Sequence, residues 1–170
     1  MLTNFSLLII FSFSLLAYEI QQTPINFGEE RIKLTKEYIK NHYALDVKDI
    51  KIVPKIVLVH YTAIEGFEKS LARFIEETLP NDRPEIAKAS ALNVSTHFMV
   101  ERDGTIHQLM PLDFMARHVI GLNFNSIGIE NVGGEGYVQD LTVEQLLANI
   151  FIVKYLKKKF PSIEYVVGHH

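Results

Sequence analysis

IVLVH, residues 56–60, is a β-branched run that ends on a histidine. Such a composition over so short a length reads as a buried strand. Pro54 marks its start, because a proline cannot donate to a sheet ladder. Two further stretches have the same form: IGIE (residues 127–130) ends on Glu130, and EYVVGH (residues 164–169) ends on His169. In α/β sheets, ligands gather outside the carboxyl ends of strands, where side chains stand on rigid elements and face a cleft. Two imidazoles and one carboxylate at three such ends suit a zinc site with a general base beside it. A single histidine at a strand end is more often a hydrogen-bonded surface residue; the repetition carries the reading. No nucleophile elbow and no phosphate-binding glycine loop competes with it.

Outward from these strands, the chain alternates helical and extended patterns. Gln21–Glu30 reads as a polar loop. Glu29–Tyr43 reads as a helix, with Ile32, Tyr38, Ile39 and Tyr43 near helical spacing. Glu65–Leu79 is amphipathic, and PNDRP (residues 80–84) ends it. STHFMVERDGTIHQLM (residues 95–110) is a hairpin with Asp103-Gly104 as a two-residue turn. Thr142 is the expected N-cap of a helix to about Phe160, with Gln145 as its capping-box partner. The order α-β-α-β-β-β-α-β predicts an α/β fold with a mixed central β-sheet flanked by helices.

The 170 residues suffice for one such domain, and 48% are apolar. With a net charge of −3, the chain has no basic face for nucleic acid. Lys157, Lys158 and Lys159 suit the end of a helix, where cations meet the macrodipole. Without cysteine, the chain has no disulfide, thiolate site or Cys nucleophile. FSLLIIFSFSLLA (Phe5–Ala17) is an apolar run of 13 residues, the length of a signal-peptide core and short for a bilayer span. Export to the periplasm, cell envelope or outside is therefore expected, with the mature domain starting near Tyr18. A buried N-terminal helix or an uncleaved anchor is the competing reading. Residues 18–54 are expected to supply an N-terminal helix and lead-in strand, and residues 55–170 the main domain.

Four pieces of that domain, IVLVHYTA (56–63), NVSTHFMVERDGTIHQLMP (93–111), ARHVIGLNFNSIGIENVGG (116–134) and YVVGHH (165–170), occur in a telling order. Together they resemble the zinc-dependent N-acetylmuramoyl-L-alanine amidases of the type 2 amidase/peptidoglycan-recognition superfamily. The resemblance implies hydrolysis of the amide between N-acetylmuramic acid and L-alanine in peptidoglycan or its fragments. His60 and His169 would be zinc ligands, and Glu130 the residue that activates water. His118 would lie in the cleft near substrate, with Asn125 as a second substrate contact. Thr96 stands where some relatives carry a catalytic tyrosine, which leaves that role to Glu130. His97 is expected to be a satisfied core histidine, and His42 and His107 surface residues. His170 should point to the opposite face from His169. The family's third ligand, an Asp or Cys in a Lys-x-Asp-Pro-Gly-like segment, would follow about ten residues after His169. The chain is thus expected to be truncated at its C-terminus, with two of three ligands. A binding module that holds muropeptide without cleaving it is the alternative. A monomer with no protein partner is expected.

Overall fold

A computed structural model describes residues 18–138 and 140–169; the apolar run Phe5–Ala17 and His170 lie outside the described residues. The strands are β1 (Ile20–Gln22), β2 (Ile56–Tyr61), β3 (Phe98–Val100), β4 (Ile106–Gln108), β5 (Ser126–Asn131) and β6 (Tyr165–Gly168). They form one mixed sheet in the order β1-β4-β3-β5-β2-β6. β3, β5, β2 and β6 run parallel to one another, β4 is antiparallel to β3, and β1 is parallel to β4. The main helices are α1 (Glu29–Tyr43), α2 (Phe67–Ile75), α3 (Pro84–Ala87) and α4 (Val143–Lys159).

Every residue of β5 is buried, as expected of a central parallel strand covered on both faces. Alternation along the strands then divides the molecule. Val57, Phe98, Val100, Ile106, Ile127 and Ile129 face α4 and pack on its Ala148, Ile152 and Leu156. Met99 and Leu109 pack on Leu71 and Phe74 of α2 on the opposite face. Leu34, Tyr38 and Ile39 of α1 form a third cluster with Ile50, Ile52, Leu92 and Met115. The predicted capping box at Thr142 and Gln145 is present. The Gln145 amide also donates to the carbonyls of Val100 and Val132, which ties the start of α4 to the sheet.

Four local expectations change. Gln21 and Gln22, expected in a loop, belong to β1 and pair with His107 and Gln108; the pairing is made by main chain, so polar side chains did not reveal it. The hairpin turn has three residues: Gly104 donates to the Glu101 carbonyl, and Glu101 to Thr105. Gly104 sits at φ +86, where an L side chain is strained. The lead-in strand expected before Pro54 is reduced to an isolated bridge between Lys51 and Phe114. α2 stops at Ile75, where the buried Arg31 guanidinium takes the carbonyls of Phe74, Ile75 and Glu76, the groups a helix end leaves unpaired.

Candidate active site

His60 and Glu130 are register partners on β2 and β5. Both sit at alternate parity to the residues that face α4, so both point to the other face of the sheet. The His169 N–H donates to the Val59 carbonyl at 3.0 Å, which carries the line of β6 to its side chain. The two imidazoles then meet, with Nδ1 of His60 2.9 Å from Nδ1 of His169. His118 enters from the segment before β5 and lies 3.0 Å, Nδ1 to Nε2, from His60. His60, His118, His169 and Glu130 line one cleft of about 1110 Å³.

The hydrogen bonds set the tautomers in sequence. The Ser126 hydroxyl donates to the Leu122 carbonyl at 2.8 Å, so its oxygen is left to accept from His118 Nε2 at 3.2 Å. His118 Nδ1 must then carry the lone pair, and it accepts from His60 Nε2. The proton of His60 is thereby on Nε2, and its bare Nδ1 faces His169. Hydrogen bonding at one ring nitrogen decides what the other can bind. Asn131 adds a backbone restraint: its amide donates to the His60 carbonyl at 3.1 Å, and its own oxygen accepts from Asn149 of α4.

Burial keeps these groups neutral. Desolvation first, and the neighbouring His169 second, lower the pKa of His60 to about 4. His118 is held well below the ordinary histidine value, by desolvation and then by His60 and His97. Desolvation pushes the Glu130 carboxyl up to about 8. Its Oε2 has no hydrogen-bond partner among the described residues, a costly state for a buried oxygen unless a ligand or water completes it.

These donors fit a zinc ion in part. Imidazole nitrogens are zinc ligands, and Nδ1 of His60 beside Nδ1 of His169 would supply two once a metal displaces the proton shared between them. Among the described residues, no group of three His, Cys, Asp or Glu side chains gathers to complete a set.

Gly128 makes room for this arrangement. A Cβ there would lie 2.9 Å from both His118 Nδ1 and Thr96 Oγ1. Nearby, His97 is a core pin: Nε2 donates to the Phe114 carbonyl at 2.9 Å, and Nδ1 accepts from the Gly128 N–H at 3.1 Å. His42 is exposed, as expected. His107 is not a surface residue: it is 5% exposed, stacks on Phe67, and bridges Thr23 and Glu101 at 2.9 Å each. β1 and α2 cover it, and neither contact is local in sequence.

Asn125 stands apart from the cleft lining. It ends the turn Asn123–Asn125, at the opposite end of β5 from Glu130, and its carbonyl accepts from Lys55. Asn123 is the asparagine at the cleft: its side-chain oxygen accepts from the N–H groups of His118 and Val119, and its amide donates to Tyr38. Sequence reasoning missed Asn123 and Ser126. Their proximity to His118 in the chain was the available signal.

Residues 51–170 match the family profile described as N-acetylmuramoyl-L-alanine amidase. A search of curated proteins finds no match. Solved structures share the fold. N-acetylmuramoyl-L-alanine amidase LysC from Clostridium intestinale is 19% identical, with 89% of this chain and 82% of that one covered and a TM-score of 0.54. AmpD, in its selenomethionine form, is 24% identical over 89% and 81%, with a TM-score of 0.59. The amidase AmiD from E. coli, in complex with anhydro-N-acetylmuramic acid-L-Ala-D-gamma-Glu-L-Lys, is 24% identical over 74% and 53%, with a TM-score of 0.51.

Proposed function

This chain belongs to the N-acetylmuramoyl-L-alanine amidase family, and from that premise we propose that it hydrolyses the amide between N-acetylmuramic acid and L-alanine, with zinc. The observation that carries the reading is the bare Nδ1 of His60 facing that of His169, in one cleft with the unpartnered carboxylate oxygen of Glu130. His60 and His169 would hold zinc, and the resemblance implies an Asp or Cys as the third donor. Zinc in such a site supplies Lewis-acid polarisation and lowers the pKa of water.

The chain's own residues supply the rest. Ser126 and His118 keep the His60 proton on Nε2. Burial alone holds Glu130 protonated at neutral pH, so a cation nearby is what would free its carboxylate. Glu130 then takes a proton from the attacking water and returns it to the leaving amine. Water's oxygen bonds to the lactyl carbonyl carbon as the C–N bond breaks, leaving a carboxylic acid and the free amine of L-alanine. The substrate class is the peptidoglycan stem or its soluble fragments, and the apolar run Phe5–Ala17 favours export of the chain toward it.

The test is muropeptide hydrolysis with zinc content measured on the same samples. It compares the 170-residue chain with one extended by an Asp-bearing segment of the Lys-x-Asp-Pro-Gly kind. The short chain should hold zinc weakly and the extended chain tightly. Glu130→Gln in the extended chain should keep zinc and lose ~10²–10⁴-fold in rate. Full turnover by that variant would remove Glu130 from the role. Muropeptide binding without cleavage by the zinc-loaded extended chain would make it a binding module.

A further inference from the structure

α4 is apolar on both sides over its first half. Ala148, Ile152 and Leu156 are buried against the sheet. Val143, Leu146, Leu147 and Ile150, at i, i+3, i+4 and i+7, form a second stripe that is 42 to 67% exposed. A helix hydrophobic all round is ordinarily covered all round. The same outward stripe continues into Lys154, Lys157 and Lys158, all exposed. α4 carries four lysines with Lys159, against one acid, Glu144.

The chain reaches this helix from its most apolar segment. Tyr18 packs against Phe151 of α4 with ring centroids 5.2 Å apart, and the residue before it ends the 13-residue run Phe5–Ala17. That run is too short to span a bilayer alone. Among the described residues, no helix is long and apolar enough to cross a membrane. A helix with a basic end, an apolar stripe and an aromatic flank suits the headgroup boundary, where apolar side chains sink shallowly and lysines meet anionic lipid.

We propose that the outward face of α4 is a docking surface for an anionic lipid bilayer. The sheet fixes the consequence. His60 and Glu130 lie on the face opposite α4, so docking turns the reactive cleft away from the membrane. A single lipid-facing helix thus orients the enzyme toward substrate beyond the membrane. The inference concerns the surface alone and stands or falls independently of the amide chemistry.

The absence of cysteine allows a direct test on the full chain. Leu147→Cys and, separately, Ile120→Cys are labelled with an environment-sensitive fluorophore. Ile120 is 92% exposed at the cleft. Vesicles of phosphatidylglycerol with phosphatidylethanolamine should shift the Leu147 label to the blue and expose it to quenching by doxyl-labelled lipid. The Ile120 label should stay open to aqueous iodide. Adding Lys154→Glu and Lys158→Glu, both at exposed sites, should weaken docking of the face by about thirty-fold and restore iodide quenching at Leu147. A Leu147 label that stays open to iodide on vesicles overturns the proposal. So does one already shielded without lipid, which would mean that another part of the chain or a second copy covers the stripe. An unchanged signal after charge reversal overturns the anionic-lipid assignment.

Discussion

His97 and His60 are both buried imidazoles beside the same strand, yet they do opposite jobs. His97 has both ring nitrogens paired with main chain, one to Phe114 and one to Gly128. His60 has one nitrogen paired with His118 and the other aimed at a second imidazole. Desolvation pulls both to a pKa of about 4, so burial does not separate them. The kind of partner does. Both nitrogens of His97 are tied to main chain, which cannot move away; both partners of His60 are side chains at the cleft, which can yield to a ligand.

The largest expected effect breaks the comparison from the reactive side. His60→Ala should abolish zinc binding and reduce muropeptide hydrolysis to background, while circular dichroism shows a folded chain. Tight zinc in this variant would move the metal site elsewhere.

His97→Ala should do the reverse. It removes a packed ring and leaves the Phe114 carbonyl and Gly128 N–H unpaired, at a cost of about 3 kcal/mol. Urea unfolding measures that loss, and the folded fraction should keep its metal affinity. A stable variant with lost zinc would place His97 in the site after all.

pH sharpens the same contrast. The His97 pKa is about 4 when folded against 6.5 for an ordinary histidine. The unfolded chain therefore binds the extra proton, and stability falls as pH drops from 6.5 toward 4. His97 contributes a loss of about 2 kcal/mol at about pH 5. Glu130 acts in the opposite sense: its raised pKa favours the fold below 4.5, and that contribution is lost as pH rises through about 8. The His97 share is read as the difference in pH dependence between wild type and His97→Gln. Parallel profiles would show that His97 does not titrate on unfolding.

The smallest effect tests the relay. Ser126→Ala removes the acceptor that orients His118, and through it the His60 proton. Zinc affinity should weaken by about 10-fold, a common cost for losing an orienting partner, with little change in stability. Titration calorimetry reads it. An unchanged affinity would leave His118 able to set the His60 tautomer unaided.

Much of the fold was written locally. The β-branched runs, the capping box at Thr142 and the periodicity of α1 depend on neighbours within a few residues, so the sequence alone declared them. The turn at Gly104 was legible as a turn but not in its length, since that depends on how Glu101 and Thr105 pair.

For the site, the sequence by itself determined which chemistry stands at the strand ends: His60, Glu130 and His169. Strand polarity and residue type suffice for that. Only the tertiary structure decided which histidines are tied to main chain and which meet one another at the cleft. His118 reaches His60 across 58 residues, and His169 reaches it across 109. β1 and Phe67 bury His107, which the local pattern placed at the surface. Asn125 stayed out of the cleft while Asn123 entered it, because the short turn before β5 directs neighbouring side chains differently. A hydrogen bond needs its donor and acceptor brought together, and for these residues only the packed sheet does so.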